Sequence, residues 1–162
     1  MKSCEDLLLN FGGHNFAAGL TLEESNLEVF RERFEEYVAE NLEKDLLIPE
    51  VPISGELDFD AINDKFMNIL KQFAPFGPGN RNPIFATKYV NDSGYSKILK
   101  GNHLKLSLKQ GESDTMSGIA FGRGDDLDRV QDHKPFHICF RVEENNWKDR
   151  TYLQLNVNDI WF

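Results

Sequence analysis

The sequence predicts an α+β fold in which a helical first half is followed by a small closed β-barrel. Three observations lead to this prediction. Apolar residues recur at three- and four-residue steps as far as residue 73, a turn rich in glycine and proline follows, and apolar and polar residues then alternate. About five strand-like segments occupy roughly the last 80 residues, which suits a small barrel.

The first element is predicted to be a short helix over residues 2–11, ended by the glycine pair Gly12-Gly13. One short apolar helix is an unusual start for a compact domain. We therefore expect Met1 to mark an internal or artificial start within a longer protein. The apolar residues at helical spacing are Cys4, Leu7, Leu8 and Phe11.

A second helix is predicted to follow the segment Ser25-Asn-Leu-Glu28, which has the pattern of a capping box. Its glutamates lie opposite the apolar stripe, so they are interpreted as a solvated face. The apolar stripe consists of Leu27, Phe30, Phe34, Val38 and Leu42.

Residues 48–52 contain two prolines and mark a linker, because proline cannot continue a helix. Another amphipathic helix is predicted after the linker and ends at Pro75, ahead of the turn Phe76-Gly-Pro-Gly-Asn80. That turn lacks the lysine and the preceding strand of a phosphate-binding loop, so we interpret it as a rigid connection. The apolar stripe of this helix consists of Phe59, Ile62, Phe66, Ile69 and Phe73.

Strict alternation begins in the last part of the chain. In the segment 103–109, Leu104, Leu106 and Leu108 fall on one face of a predicted strand, and polar residues fall on the other. Further strands are predicted at Ile84–Val90, Met116–Phe121, Phe136–Val142 and Tyr152–Val157.

The net charge of −9 is unevenly distributed along the chain. Residues 1–60 hold 4 Lys and Arg against 15 Asp and Glu, whereas the remaining residues hold 14 against 12. Residues 81–110 contain six basic residues and a single acid, Asp92. This segment is interpreted either as a patch that faces phosphates or as scattered, solvated lysines.

The cysteine pattern and the hydropathy exclude several classes. Cys4 and Cys139 lie far apart, and neither belongs to a zinc-binding or redox pair spacing. No apolar run approaches the ~20 residues that span a bilayer, and the first residues lack the order of a signal peptide. We therefore expect a reduced, cytoplasmic protein that does not interact with membranes.

The first candidate site is the small-residue segment Gly12-Gly-His-Asn-Phe-Ala-Ala-Gly19. Glycines allow backbone amides to approach an anion, and a neighbouring imidazole can donate to a phosphate oxygen. For Gly-Gly-His taken alone, ordinary helix capping is the more common explanation. The candidate phosphate-binding residues are Gly12, Gly13, His14 and Asn15.

The second candidate site is the barrel surface, where basic and aromatic residues combine charge with stacking platforms. Such surfaces hold single-stranded nucleic acids without reading sequence. Small barrels also bind proteins or sugars, and Trp147 is alternatively a cover for a hairpin end. His133 and His137 have no partner at ligand spacing and receive no role. Besides Tyr95, the candidate residues are Lys97, Lys100, His103, Lys105, Lys109, Arg141, Trp147, Arg150 and Tyr152.

Taken together, these segments resemble the RecJ family of the DHH phosphoesterase superfamily. The segment from Phe11 to Leu22 is similar to the signature of its DHH-associated domain, and Phe76-Gly-Pro-Gly-Asn80 is similar to its domain junction. His103-Leu-Lys-Leu106, Gly118-Ile-Ala-Phe-Gly122 and Tyr152-Leu-Gln-Leu155 resemble strands of its OB domain.

The resemblance implies three regions. Residues 1–47 are the C-terminal part of a DHH-associated, substrate-binding domain of the α/β type. Residues 48–81 are a linker and connecting helix, and residues 82–162 are a five-stranded OB-fold barrel that binds nucleic acid.

The resemblance also implies a function. RecJ enzymes remove nucleotides from the 5′ end of single-stranded DNA in recombination and repair, with Mn²⁺ or Mg²⁺ held by a DHH domain. This chain contains no Asp-His-His, so it is expected to hold no catalytic residue and no metal, and to be inactive alone. His14 and the amides of Gly12 and Gly13 would hold a substrate phosphate while the OB domain guides the strand. The expected partners are single-stranded DNA and a DHH domain in the same polypeptide.

The alternative is a non-catalytic module that binds single-stranded nucleic acid or another protein. In that case the acidic first 60 residues would contact a protein other than a catalytic domain.

Overall fold

The computed structural model describes residues 2–14, 17–148 and 150–162, except for the side chains of Lys44, Asp45 and Trp147. The chain divides into two compact units, one ending at Glu50 and one starting at Val51. No helix in the described ranges has the length and apolar character needed to cross a membrane.

The N-terminal unit contains a β-hairpin and one long helix. A 3₁₀ segment, Lys2–Leu7, leads into β1 (Leu8–His14), which pairs antiparallel with β2 (Ala17–Leu22). A 3₁₀ turn, Glu24–Asn26, then leads into α1 (Leu27–Asn41). A further 3₁₀ turn, Lys44–Leu47, closes the unit.

The predicted helix over residues 2–11 is wrong beyond its first turn. From Leu8 onward the backbone is extended, and the glycine pair lies inside β1, with Gly12 opposite Gly19. An isolated helix of this length is marginal in water, so pairing with a neighbouring strand overrides its weak apolar spacing. The glycine pair therefore does not end a helix.

Helix α1 is present as predicted, but its capping box is not. Ser25 lies within the 3₁₀ turn, and the N-cap residue Asn26 makes no side-chain cap hydrogen bond. Its side-chain amide donates instead to the carbonyl of Leu7, at 3.3 Å. Helix α1 thus begins from a 3₁₀ turn and not from the predicted capping box.

The helix predicted between the linker and Pro75 is shorter than its apolar stripe. A 3₁₀ turn, Phe59–Ala61, is separated from α2 (Asp64–Lys71) by an extended Ile62. Helix α2 starts where the Asn63 side chain accepts a hydrogen bond from the amide of Phe66, at 3.0 Å. Phe59, Ile62 and Leu70 are buried, whereas the stripe residues Ile69 and Phe73 are exposed.

The turn after α2 is held by one side chain. The Asn80 amide nitrogen donates to the carbonyls of Phe73 and Pro75, at 2.7 and 2.9 Å. The backbones of Gly77 and Asn80 also exchange hydrogen bonds. These hydrogen bonds join the two ends of the turn, which lies within the C-terminal unit.

The C-terminal unit is an OB-like, sheet-rich domain. Its strands are β3 (Gly55–Glu56), β4 (Phe85–Asp92), β5 (Lys97–Leu99), β6 (His103–Gln110), β7 (Met116–Ala120), β8 (Phe136–Trp147) and β9 (Arg150–Trp161). They run in the order β3-β4-β8-β9-β7-β6-β5, and an additional pairing joins β4 to β6. All neighbouring strands are antiparallel except β3–β4 and β7–β9. A short helix, α3 (Leu127–Val130), connects β7 to β8.

Each predicted strand segment overlaps an observed strand, and two short strands are additional. β3 has two residues and β5 has three, too few for an alternating pattern to be recognised. β8 and β9 extend further than predicted and form a long hairpin. At the tip of this hairpin, residues 143–146 and 150–151 are polar and exposed, so the apolar pattern that marks a buried strand is absent there.

The core of the C-terminal unit is the inner face of this sheet. Leu104, Leu106 and Leu108 are fully buried on β6, as the alternation predicts. They pack with Phe136 and Phe140 of β8 and with Phe59, whose ring meets that of Phe140 edge-on at 6.4 Å. Apolar side chains occupy most of the inner face, and most polar residues of the strands point outward. Thr87 of β4 is an exception: it is buried, and its hydroxyl donates to the carbonyl of Leu57.

Candidate nucleic-acid interface

Two lysines lie side by side on the outer face of β5 and β6. The register pairs Lys97 with Lys105, so both exposed side chains leave the same face of the sheet. No ion pair to either lysine is found within the described residues. Two adjacent cations on a rigid strand pair are suited to phosphate groups.

The two lysines begin a row of outward side chains across the sheet. Lys105 is opposite Ile119, Ile119 is opposite Asn156, and Asn156 is opposite Arg141. With neighbouring strands ~4.8 Å apart, the row is about 19 Å long, with cations at both ends. Arg141 is half-buried, and its Nε has no hydrogen-bond partner in the described part of the chain.

A groove of about 510 Å³ adjoins this row on the outer face of β6, β7 and the β8–β9 hairpin. Lys105 is its single cation, and Tyr152, half exposed, supplies an aromatic face. The Asn145 amide donates to the Gln154 carbonyl at 2.7 Å within it. The lining contains hydroxyl and amide groups but no carboxylate: Lys105, Thr115, Met116, Ser117, Asn145, Tyr152, Leu153 and Gln154. Such a lining can offer charge, stacking and neutral hydrogen bonds to one ligand.

Four other candidates lie at the margins of this surface. Lys109 is exposed at the far end of β6, opposite Asn91 of β4. Lys100 and Arg150 are exposed at the β5–β6 turn and at the start of β9. Trp147 is the last residue of β8, and its side chain lies outside the described residues.

His103 is engaged in a turn. Its Nδ1 accepts a hydrogen bond from the amide of Gly122 at 3.0 Å, and its ring meets Phe121 edge-on at 5.1 Å. This contact ties the start of β6 to the end of β7.

Not every lysine of the basic segment is unpaired. Lys88 forms an ion pair with Glu56, and the hydrogen bond to that carboxylate raises the pKa of the Lys88 ammonium group. Asp92 accepts hydrogen bonds from the Ser96 hydroxyl and the Gly94 amide. Tyr95 stands exposed in this β4–β5 turn.

The glycine-histidine segment is on the β1–β2 hairpin of the other unit. Gly12, Gly13 and His14 are exposed at the end of β1, and Asn15 lies outside the described residues. Gly13 has φ of 157°, and a Cβ there would lie 2.4 Å from the carbonyl oxygen of Ala17. At this position glycine is required by the close approach of the two strands.

The described residues do not form a metal centre. Nowhere in ranges 2–14, 17–148 and 150–162 do three His, Cys, Asp or Glu side chains cluster as metal ligands would. The residues described here therefore do not fit a catalytic Mn²⁺ or Mg²⁺ ion, and no metal-dependent step is derived from them.

The structure also groups residues that the sequence analysis did not. Tyr89, His137 and Trp161 belong to neither predicted site, yet their rings meet on the outer face of β4, β8 and β9. The alternation along β8 predicts that the side chain of His137 points outward. The position of Tyr89 is not predicted in this way, because it depends on a bulge in β4.

A closed sheet with this strand order, an outward basic row and a polar groove defines an OB-like domain of the kind that binds oligonucleotides. The RecJ OB domain family matches residues 53–159. The chain belongs to this family.

Curated relatives extend the similarity beyond the OB-like unit. The chain is 29% identical to the single-stranded-DNA-specific exonuclease RecJ of Salmonella typhimurium over 157 residues, which cover 96% of the chain and 27% of the relative. It is also 29% identical to the Escherichia coli enzyme over 161 residues, with the same coverages. The chain thus spans about a quarter of the length of these relatives.

A solved structure supports the same similarity. The crystal structure of RecJ from Thermus thermophilus in complex with Mn²⁺ matches with a TM-score of 0.77 and 26% identity. The match covers 98% of this chain and 22% of that one.

Proposed function

We propose that this chain is the substrate-binding part of a RecJ-like exonuclease that degrades single-stranded DNA from the 5′ end. The observation that carries the proposal is the outward Lys97–Lys105 pair beside a groove that contains Tyr152. Lysines neutralise phosphates, and a tyrosine face stacks on a base, so the pair and the groove suit one strand of DNA in any sequence. A role in recombination and repair is part of the proposal.

In this proposal the OB-like domain is a five-stranded OB barrel, formed by β4, β6, β7, β8 and β9, with β3 and β5 as additions at its edges. Residues 1–47 belong to a DHH-associated domain, and residues 48–81 connect the two. The hairpin end of Gly12, Gly13 and His14, continued by Asn15, contacts a phosphate of the substrate.

Catalysis is assigned to a part of the full-length protein that this chain does not contain. A DHH domain in the same polypeptide would bind Mn²⁺ or Mg²⁺, which activate water in such enzymes. The coverage of the relatives, about a quarter of their length, supports this division of roles. The chain itself would hold the strand and would not hydrolyse it.

The test is a titration of the full chain with a fluorescein-labelled oligothymidylate at several salt concentrations. We expect sequence-tolerant binding that weakens steeply as salt rises, because counterions are released from the strand. Lys97→Ala with Lys105→Ala should weaken binding at low salt. Each lysine that contacts a phosphate should also lower the slope of log K against log salt by about 0.7.

Lys65→Ala is the matched control, since Lys65 is an exposed lysine on α2, away from β5 and β6. It should leave affinity and salt slope close to those of the unmodified chain. The proposal fails if the unmodified chain does not bind at low salt, or if the control variant loses as much affinity as the lysine pair.

A further inference from the structure

Three aromatic rings form a continuous patch on the outer face of β4, β8 and β9. The ring centroids of Tyr89 and His137 are 5.0 Å apart, and those of His137 and Trp161 are 5.7 Å apart. His137 and Trp161 are direct partners in the β8–β9 register. We call these three residues the aromatic platform.

Tyr89 is held in the platform by a bulge. Between the pairs Thr87–Ile138 and Val90–Phe136, two residues of β4 lie opposite the single residue His137. Tyr89 has φ of 58°, a left-handed conformation that bulky side chains rarely adopt. Its amide donates to Nδ1 of His137 at 3.2 Å, in place of a ladder hydrogen bond. Bulges of this kind redirect a side chain and are enriched beside binding sites.

The platform is accessible to a ligand. Tyr89 is 66% exposed and Trp161 is 37% exposed. Directly beneath them, Val90, Phe136 and Ile138 are fully buried in the core. These buried residues hold the backbone beneath the rings in place. A ligand that stacks on the rings would therefore cost little conformational entropy of the protein.

The platform lies on the same face of β8 as the proposed interface. On β8, His137, Arg141 and Asn145 all point outward, because side chains alternate between the faces of a strand. Asn145 lines the groove, and Arg141 ends the row that begins at the lysine pair. Two further residues of β8 share this parity: Glu143, whose exposed carboxylate accepts a hydrogen bond from Asn156, and Cys139, which is buried between Arg141 and His137.

We propose that the aromatic platform is a second contact for single-stranded DNA, where the rings of Tyr89 and Trp161 stack with nucleobases. The inference rests on the proposed function and extends the strand beyond the groove of β6 and β7. Exposed rings on a flat strand surface suit bases, since every base has a face that can stack. A protein partner is the competing occupant, and the experiment separates the two.

The test combines one substitution with one spectroscopic signal. Tyr89→Gly removes the ring but adopts φ of 58° readily, so the variant should fold normally. Its affinity for a long oligothymidylate should fall by about 5- to 150-fold, the loss of one base stack. In a Trp147→Phe background, Trp161 is the sole tryptophan, and the oligonucleotide should quench its fluorescence.

His133→Gly is the matched control, because His133 is also exposed and has φ of 57° without a ring in the platform. It should bind as the unmodified chain does. The inference is overturned if the chain binds DNA while Tyr89→Gly keeps full affinity and the fluorescence of Trp161 is not quenched. In that case the aromatic platform would be assigned to a protein partner. Failure of the unmodified chain to bind any oligonucleotide would instead reject the proposed function, and the inference with it.

Discussion

At the scale of single residues, Gly13 is a position where the backbone of the neighbouring strand excludes a side chain. Its φ of 157° and its close approach to β2 leave no room for a side chain. A Cβ would lie 2.4 Å from the Ala17 oxygen and 2.5 Å from the Ala18 Cα, both backbone atoms that cannot move independently.

We predict that Gly13→Ala destabilises the β1–β2 hairpin by more than about 1 kcal/mol, because the native conformation does not accept alanine. Hydrogen exchange of the amides of β1 and β2 measures the effect. Gly12→Ala is the control, since a Cβ at Gly12 meets nothing within 4 Å. Equal amide protection in the two variants would contradict the assigned backbone geometry.

Residue directions were predictable where a strand is regular. The alternation of leucine and polar residues on β6 was enough to place Lys105 outward, and the structure agrees. The direction of Tyr89 was not predictable, because a bulge inserts one residue and leaves no mark in the local pattern. The sequence also does not show which distant strands pair. It therefore does not predict that Lys97 and Lys105 are direct partners in the β5–β6 register.

At the scale of elements, β6 is the strand that joins the core to the proposed interface. It pairs with β4, β5 and β7, and its three leucines are fully buried while its lysines are exposed. The core and the proposed interface therefore occupy opposite faces of one strand.

We predict that Leu106→Ala lowers the free energy of unfolding by about 2–5 kcal/mol, the cost of a cavity in a packed core. Lys105→Ala, one residue away on the outer face, should change it by no more than about 0.5 kcal/mol. Urea denaturation followed by fluorescence gives both values. A similar loss of stability in the two variants would show that the faces of β6 are not separated as described.

Elements also differ in how well their sequences predict them. Helix α1 has four turns of consistent periodicity, and its existence followed from the sequence, although its cap did not. The segment of residues 2–11 has weak helical spacing, and its pairing with β2 decided its structure. Local patterns thus predicted the long elements, and tertiary pairing determined the short ones.

At the scale of the whole molecule, the acidic charge is concentrated in the N-terminal unit. Up to Glu50 there are 4 basic and 12 acidic residues, and from Val51 onward there are 14 and 15. The net charges are therefore −8 and −1. The OB-like unit is close to neutral, so its attraction for DNA would depend on the local arrangement of lysines and not on its total charge.

We predict that a polypeptide of residues 51–162 folds without the N-terminal unit. Every residue of the hydrophobic core cluster lies between Phe59 and Ile160, so the shorter polypeptide retains the complete cluster. Cooperative urea unfolding and a native-like near-ultraviolet circular dichroism spectrum are expected. A gradual, non-cooperative transition would mean that the cluster needs residues before Val51.

The long β8–β9 hairpin has one more consequence. Tyr152 lies near its tip and Trp161 at its base, nine residues apart, or about 30 Å along an extended strand. If both rings stack on bases, the distance between them sets the length of single strand that the hairpin contacts. At the ~3.4 Å spacing of stacked nucleotides the footprint would be about nine nucleotides, within the ~4–16 known for one OB fold. A shorter oligonucleotide would then reach only one of the two rings at a time.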